Sequence, residues 1–333
     1  MAAVHYDVVA IGNAIVDIIG RCDDAFLDRC GAPKGHMQLV DTQTIASIYK
    51  KMGPAVEISG GSAANTVVGV ASFGGRTAFI GKVAEDEFGR IFRHDIGAAG
   101  VSFKTPAVAI PGKETSRSLI LVTPDGQRTM NTFLGISTDL DHGEVDPEII
   151  KSSELVYLEG YLFDRPEAKA AFRQALSVAN KAGRRVALSL SDSFCVNRHR
   201  AEFLELIRSG IAILFANESE IAALYETASF DEAVGQAGKD TALAVLTRSE
   251  KGSVVVEKGK AIVVAPEPIS NVVDTTGAGD LYAAGFLFGL ARGLDLKTAG
   301  RLGSFAASEI ICHIGARPEA KLSNLARIRG LIS

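Results

Sequence analysis

Short apolar runs alternate with amphipathic segments along most of the 333-residue chain. The runs have the length of strands buried on both faces, and the segments between them repeat apolar residues at helical spacing. This alternation predicts an α/β fold with a mostly parallel sheet, helices on both of its faces, and ligands at the carboxyl ends of the strands. The predicted strands are 6–11, 77–84, 155–159, 185–190, 211–216 and 241–246. The predicted helices are 42–52, 60–73, 85–99, 166–181, 200–208, 219–225, 230–238, 278–292, 296–311 and 321–330.

Two-residue alternation replaces this pattern between residues 101 and 133. Predicted strands 116–122 and 128–133 flank Pro124-Asp125-Gly126, a favourable hairpin turn. A hairpin inside a series of alternating strands and helices predicts a second, smaller sheet. A further short strand is predicted at 56–58.

Composition narrows the class of protein. A net charge of −4 offers no attraction to nucleic acids or anionic membranes, so we expect neither as a partner. The N-terminus lacks the basic and apolar regions of a signal peptide, and no apolar run approaches membrane-spanning length, so we expect a cytoplasmic protein. The four cysteines show no Cys-x-x-Cys spacing, which indicates reduced thiols rather than disulfides or a zinc site.

The most informative stretch joins a loop to a long apolar helix. Asp274 is followed by the small residues Gly277, Ala278 and Gly279, and Asp280 opens the apolar run. Free backbone N–H groups and the helix dipole make such an end suitable for an anion. A carboxylate there would repel a phosphate unless it had a task, such as taking a proton from an attacking hydroxyl. An Asp that only caps the helix is the alternative.

Other polar positions interrupt apolar sequence. Asp17 lies within Ile-Val-Asp-Ile-Ile, so it faces a wet cleft or hydroxyl groups unless it is an outward-facing strand residue. Asn217 and Glu220 follow the predicted strand 211–216 and lie on one side of a first helical turn. Their oxygens suit a hydrated Mg²⁺, and a plain capping box is an equally good local interpretation.

The segment Asp274-Thr-Thr-Gly-Ala-Gly-Asp280 resembles the C-terminal signature of the ribokinase-like (PfkB) carbohydrate kinase family. The resemblance implies phosphorylation of a hydroxymethyl group by ATP, with Asp280 as base and the amides of Gly277, Ala278 and Gly279 as an anion hole. It also implies one ribokinase-like domain over 1–333, with a small β-sheet lid formed by about 14–40 and 104–134.

The N-terminal signature of the family resembles Gly60-Gly61-Ser62-Ala63-Ala64-Asn65. In the family the two glycines and the Asn contact the sugar. Ribokinase-type members often carry Lys where Ser62 stands, which disfavours free ribose as the substrate.

Within the family the sequence is most similar to the adenosine kinases. The similarity rests on Phe26-Leu-Asp-Arg, Tyr157-Leu-Glu-Gly, Ser189-Leu-Ser-Asp-Ser-Phe and Ile213-Leu-Phe-Ala-Asn-Glu. It implies that the acceptor's ribose is held by Asn13, Asp17, Gly61 and Asn65, and that Gly60 and Ser62 are further substrate-binding residues. It implies that the base contacts Ile15, Gln38, Val40, Met130 and Leu162, and that Arg128 reaches the transferring phosphate.

The resemblance extends to the nucleotide. It implies that Asn217 and Glu220 hold Mg²⁺ through water, as in the family's Asn-x-x-Glu motif. Asp274 would be the acid near a monovalent cation such as K⁺. The ATP-binding residues it implies are Asn217, Thr247, Ser249, Gly252, Thr276, Gly277, Gly279 and His313.

We therefore expect an ATP-dependent kinase that phosphorylates the 5′-hydroxyl of a ribonucleoside, adenosine first, in purine salvage. A kinase for a ketose or sugar acid, and a nucleoside-binding protein without turnover, are the alternatives. An NAD-dependent oxidoreductase is disfavoured because no Gly-x-Gly-x-x-Gly follows the first strand, and no Walker motif supports a P-loop enzyme. Partners would be small molecules, and the protein a monomer or a homodimer.

Overall fold

A computed structural model of the chain describes residues 3–269 and 271–332, and its strands form two sheets. The remaining positions of the predicted domain 1–333 lie outside the described residues. The strands are β1 (Tyr6–Ile11), β2 (Ile15–Arg21), β3 (Met37–Leu39), β4 (Ala55–Gly60), β5 (Thr77–Ile80), β6 (Val101–Phe103), β7 (Ser116–Val122), β8 (Arg128–Phe133), β9 (Ser153–Glu159), β10 (Arg185–Ser189), β11 (Ile213–Asn217), β12 (Leu243–Thr247), β13 (Ser253–Glu257) and β14 (Lys260–Val264). The α-helices are α1 (Asp24–Cys30), α2 (Thr42–Lys51), α3 (Ser62–Ser72), α4 (Glu87–Ala98), α5 (Pro147–Lys151), α6 (Pro166–Lys181), α7 (Ser193–Arg208), α8 (Glu218–Tyr225), α9 (Phe230–Asp240), α10 (Ala278–Ala291), α11 (Leu296–Ile310) and α12 (Leu322–Ile328). Short 3-10 helices lie at Gly135–Asp139, His142–Glu144, Gly160–Asp164 and Ser249–Lys251.

The larger sheet has the strand order β14-β13-β12-β11-β10-β9-β1-β5-β6. Neighbouring strands from β12 to β6 are parallel, whereas β13 and β14 run antiparallel at one edge. The predicted mostly parallel sheet is confirmed, although the sequence pattern did not predict β13 and β14. Because the other strands are parallel, the carboxyl ends of β9, β11 and β12 share one edge of the sheet.

Apolar residues alternate between the two sides of this sheet. In β1, Val8 and Ala10 pack into a cluster with α3, α10 and α11, whereas Val9 and Ile11 pack into a second cluster with α5, α6 and α7. Each of these four side chains is fully buried. Helices therefore cover both faces, as predicted, and the cluster with α10 extends under the smaller sheet through Val16 and Leu119.

Capping side chains explain why two helices begin away from their predicted residues. Asp86 accepts a hydrogen bond of 2.7 Å from the backbone N–H of Gly89, so α4 begins at Glu87 rather than at residue 85. Asp192 caps α7 at Ser193, well before the predicted residue 200. The periodic signal of α7 is broken because its backbone departs from helical geometry at His199 (φ −124°, ψ 22°).

The smaller sheet has the strand order β3-β8-β7-β2-β4. Its β7 and β8 form the predicted antiparallel hairpin with the predicted bounds. The sheet draws strands from both predicted lid segments and also includes β4, which lies between them in sequence. Alternation places Asp17, Ile15 and Met130 on one face and Gln38 with Asn131 on the other, because paired residues share a face.

No helix within residues 3–269 and 271–332 combines the length and the apolar character needed to cross a lipid bilayer.

Candidate active site

Asp280 lies in the first turn of α10 and accepts two side-chain hydrogen bonds from α3. The Ser62 hydroxyl donates to its Oδ1 at 2.6 Å, and the Asn65 side-chain amide donates to its Oδ2 at 3.0 Å. Burial raises the pKa of the Asp280 carboxyl, while these two hydrogen bonds and the Arg317 charge oppose the rise. Two predicted signatures, more than 200 residues apart in sequence, thus meet at one carboxylate.

The loop before Asp280 leaves backbone donors free. Gly277 has φ +77°, and a Cβ there would lie 2.8 Å from the Cβ of Ala316, so the turn into α10 requires glycine. The Ala278 N–H donates to Thr275 O at 3.2 Å. In the described part of the chain, the N–H groups of Gly277 and Gly279 donate to neither a backbone carbonyl nor a side chain. Two of the three predicted anion-hole amides are therefore available to a ligand.

Gly60 and Gly61 connect β4 to α3 and bring Asp17 close to the turn. Gly61 has φ +97°, and a Cβ there would lie 2.3 Å from Asn13 O. A Cβ on Gly60 would lie 2.2 Å from Asp17 Oδ2. Both glycines are therefore needed where the backbone passes the Asn13 loop and the Asp17 carboxylate.

Asp17 is a buried carboxyl with no ion pair among the described residues. Burial raises its pKa to about 7, the charges of Arg317 and Arg128 lower it, and the charge of Asp280 raises it further. An isolated outward-facing strand residue would show none of these influences. The structure therefore brings Asp17 into the same electrostatic environment as Asp280.

Glu159, which the sequence did not single out as a site residue, organises this region from the end of β9. Its carboxylate accepts hydrogen bonds from the Asn13 backbone N–H (3.2 Å), the Asn13 side-chain amide (2.7 Å) and the Ala63 N–H (2.7 Å). Burial raises its pKa to about 7 against these three donors. The Asn13 amide oxygen accepts from the Ser137 hydroxyl at 2.8 Å, so Asn13 is held on both sides. A carboxyl residue at the end of an otherwise apolar strand was the available signal for Glu159.

Arg128 forms a buried ion pair with Asp274. Asp274 also accepts the Thr276 N–H at 3.0 Å and the Gly315 N–H at 2.9 Å. The Nε and Nη2 groups of Arg128 are buried without a hydrogen-bond partner among the described residues. Strand β8 of the smaller sheet therefore presents unused donors beside the loop that leads to Asp280.

The Asp274 oxygens do not fit the predicted monovalent cation. Each carboxylate oxygen already accepts an N–H group, and a guanidinium neutralises the charge. The predicted K⁺ site stays a prediction.

Asn217 and Glu220 form a closed capping box at the start of α8. Asn217 donates through its backbone and side-chain nitrogens to Glu220 at 2.9 and 2.6 Å, and its Oδ1 accepts the Glu220 N–H at 2.8 Å. Burial raises the pKa of Glu220 to about 7. Carboxylate oxygens occupied in this way suit contact with Mg²⁺ through water rather than direct ligation. No cluster of three or more metal-ligating side chains occurs among residues 3–269 and 271–332.

The other predicted nucleotide residues lie near this edge or on the loop after α11. Thr247 pairs with Asn217 across β11 and β12. Ser249 has φ +52°, a left-handed conformation that is uncommon for residues other than glycine, and Gly252 has φ +81°. His313 approaches Glu309 at 3.3 Å in the loop after α11.

The predicted base contacts divide into two groups. Ile15 and Met130 share one face of the smaller sheet with Asp17, whereas Gln38 faces the opposite side and donates to Asn131 Oδ1 at 2.7 Å. Val40 packs against the apolar cluster beneath the lid. Met37 and Leu39, which alternate with Gln38, are 55% and 61% exposed.

Leu162 is not brought to the surface that carries Asp17 and Met130. It is 1% exposed and packs in the cluster with α6 and α7, because a 3-10 helix follows β9 and turns it inward. The neighbouring Tyr161 is 43% exposed, and after burial the largest influence on its raised pKa is the Asp280 charge. Tyr161 is therefore the exposed aromatic side chain of this segment, and it lies near enough to Asp280 to experience its charge.

Arg317, in the loop between α11 and α12, is a second residue that the sequence did not indicate. It donates to Ser59 O and Ala64 O at 3.0 Å each, and to the Ser59 hydroxyl at 3.0 Å. It thereby ties the C-terminal loop to the end of β4 and the first turn of α3.

Comparison with known proteins places the chain among kinases. The model of the pfkB family carbohydrate kinases matches residues 37–321. The crystal structure of adenosine kinase from Sinorhizobium meliloti is 52% identical, with a TM-score of 0.90 over 97% of this chain and 99% of that chain. A probable sugar kinase from Rhizobium etli CFN 42 is 45% identical, with a TM-score of 0.91 over 99% of this chain and 100% of that one. An uncharacterized sugar kinase from Archaeoglobus fulgidus is 32% identical over 75% of this chain and 97% of its own length.

Proposed function

The chain belongs to the pfkB family of carbohydrate kinases and is an ATP-dependent kinase; from this premise we propose that it phosphorylates the 5′-hydroxyl of a ribonucleoside, adenosine first. The observation that carries the proposal is that Asp280 directly follows the free Gly277 and Gly279 amides and lies close enough to Asp17 of the smaller sheet for their charges to interact.

Asp280 is the proposed base. The hydrogen bonds from Ser62 and Asn65 fix the orientation of its carboxylate and leave lone pairs for the acceptor hydroxyl. A carboxyl pKa raised towards the working pH makes a stronger base than an exposed Asp. Asp280 takes the hydroxyl proton as the oxygen attacks the phosphorus.

Charge on the transferred phosphoryl group is met by donors that the fold holds in place. The Gly277 and Gly279 amides lie at the positive end of α10. The partnerless Nε and Nη2 groups of Arg128 supply further donors from the lid. Such preorganised donors stabilise the transition state because they need no reorientation during reaction.

The acceptor is held by polar atoms that lack partners of their own. Asn65 Oδ1 is buried without a hydrogen-bond partner among the described residues, and a ribose hydroxyl would satisfy it. Asp17 offers a carboxylate on the lid face, and hydroxyl donors would offset the cost of its burial. Closure of the lid over these groups would exclude water, which is itself an acceptor.

Mg²⁺ accompanies ATP in kinases and neutralises phosphate charge when bound. In this chain Asn217 and Glu220 would hold it through water, since their oxygens already accept hydrogen bonds from each other's nitrogens.

A nucleoside is favoured over a free sugar by two features. The adenosine kinase from Sinorhizobium meliloti is 52% identical to this chain, which exceeds the identity of the sugar kinase neighbours. The lid also exposes Met37 and Leu39, apolar surface that a planar base can cover and a sugar with hydroxyls all around cannot. The sugar kinase neighbours keep a ketose or sugar-acid kinase as the second candidate.

An acceptor panel with radiolabelled ATP tests the proposal. We expect kcat/KM for adenosine to exceed that for ribose, fructose and a 2-keto sugar acid by about a hundredfold or more. 5′-Deoxyadenosine, which lacks the attacked hydroxyl, should compete with adenosine without being phosphorylated. Efficient phosphorylation of a sugar but not of adenosine would establish the second candidate. Tight adenosine binding without ADP release would indicate a binding protein instead. Running the panel with and without K⁺ also tests the predicted cation.

A further inference from the structure

Arg317 is a guanidinium enclosed by backbone rather than by carboxylates. Its Nε and Nη1 donate to the carbonyl oxygens of Ser59 and Ala64, and its Nη2 to the Ser59 hydroxyl. Among the described residues no carboxylate oxygen lies within 4.0 Å of its nitrogens. Burial lowers its pKa to about 10, so it remains charged at neutral pH.

Three carboxylates nevertheless experience this charge. The Ser59 hydroxyl accepts from Arg317 and donates to Asp95 Oδ2 at 2.6 Å. This chain of hydrogen bonds connects the guanidinium to Asp95 on α4. Asp17 and Asp280 lie near enough that each helps to keep Arg317 protonated and is itself favoured as an anion by it. Arg317 is the largest charge acting on Asp17.

The absence of direct contact between Arg317 and the carboxylates matters chemically. Two carboxylates in one poorly solvated cleft repel each other, and burial favours their neutral forms. A cation in direct contact would keep them ionised but would occupy oxygens that must accept hydroxyl groups. A cation anchored to carbonyl groups nearby supplies the field and leaves those oxygens free.

We propose that Arg317 is a positioning residue that keeps two carboxylates ionised without touching either: the base Asp280, and Asp17, which binds the acceptor. Its hydrogen bonds also hold the turn between β4 and α3 beside the anion hole. The inference rests on the proposed function, in which Asp280 acts as the base. It assigns a role in the reaction to a residue that the sequence motifs do not include.

The test compares Arg317→Gln with the wild type as a ratio of kcat/KM across pH 5.5–9.5, in which the titration of ATP cancels. The midpoint of the acid limb, which is the fall in kcat/KM at acidic pH, should move up by about one pH unit or more when the charge is lost. The reason is that a nearby opposite charge lowers a carboxyl pKa by that amount. The ratio should therefore be about tenfold lower at acidic pH and recover to within about threefold at pH 9. A residue with only a structural role would lower the ratio equally at every pH, and a flat ratio overturns the inference.

Arg93→Gln is the matched control. Arg93 on α4 is also a partly buried guanidinium that donates to a backbone carbonyl, that of Thr105, and forms no ion pair in the described ranges. It lies against Phe103 rather than beside the cleft, so its ratio should stay flat.

Arg317→Lys retains the charge and should keep the acid limb within about half a unit of the wild type. If Arg317→Gln does not fold, as judged by circular dichroism, this variant decides: a folded Lys variant whose limb rises by a full unit overturns the inference. Asp280→Asn separates the two hypotheses. Normal turnover by Asp280→Asn contradicts the proposed function, whereas an inactive Asp280→Asn with a flat Arg317→Gln ratio contradicts only the inference.

Discussion

Replacing Asp280 by Asn removes the proposed base and almost nothing else. The new amide keeps an oxygen that can accept from the Ser62 hydroxyl. Asn65 can turn its own amide, because its Oδ1 is buried without a partner and would accept from the new NH₂ group. Burial disfavours the charged form of Asp280, so loss of the charge should leave the unfolding midpoint unchanged or higher. The fold should therefore survive the substitution.

The catalytic effect should be large. General base catalysis contributes about 10²–10⁴ to rate, so kcat should fall by that factor, or about 3–5 kcal/mol of transition-state stabilisation. Adenosine affinity, measured by calorimetry, should stay within about tenfold, because holding the ribose and moving the proton are separate tasks. Turnover is followed by coupled detection of ADP.

The control is Asp295→Asn, because Asp295 also opens a helix and caps Lys297 and Thr298 at 3.0 Å each but lies on the surface. Asn caps about as well as Asp, so this variant should be active and stable. If Asp280→Asn retains kcat within about tenfold of the wild type, Asp280 is not the base and the mechanism is refuted.

Three further outcomes follow from the same geometry. Gly61→Ala places a side chain at φ +97° and against Asn13 O. It should destabilise the fold by about 1–3 kcal/mol, measured by urea denaturation, and raise the KM for the acceptor, measured by steady-state kinetics. Glu159→Ala leaves three buried N–H groups without an acceptor and should lower the free energy of unfolding by about 3 kcal/mol; a loss under about 1 kcal/mol in urea denaturation would contradict this. Asp17 and Glu159 each have a folded-state pKa raised to about 7, from ordinary values of 3.8 and 4.5. The stability that their protonation gives the free protein should therefore be complete below those ordinary values and decline as pH rises to about 7. Calorimetry at a series of pH values would detect the decline as a falling Tm.

Local sequence predicted the parts of the site that depend on local structure. The small residues before Asp280 and the apolar run after it define the start of α10 without reference to the rest of the chain. The hairpin 116–122 and 128–133 was predicted with its observed bounds because turn residues fix both ends. These elements carry Asp280 and Arg128.

Residues whose role depends on tertiary contacts were beyond such patterns. Nothing around Arg317 distinguishes it from a surface arginine, since its partners are the carbonyl groups of β4 and α3. Gln38 and Leu162 depend on the registers of a three-residue strand and a 3-10 helix that the sequence did not predict. A shift by one residue reverses which side chain faces the cleft, as Tyr161 and Met37 illustrate.

The positions of the buried carboxyl groups, which lower the stability of the fold, support the proposed function independently of any motif. Asp17, Glu159 and Asp280 are carboxyls whose pKa values are raised mainly by burial, and they lie together where β1, β2, β9 and α10 meet. For stability alone, uncharged side chains that keep the same hydrogen bonds would be better at these positions, since each buried carboxylate has a desolvation cost. Glu220, at the edge where nucleotide is proposed to bind, is a fourth such carboxyl. By contrast, the consecutive residues 8–11 of β1 and 186–188 of β10 are aliphatic and pack into the apolar clusters on both sides of the sheet. The fold retains this desolvation cost where a ligand with hydroxyl groups would offset it. Phosphoryl transfer requires a site of this kind, in which an alcohol lies beside free amides and a base.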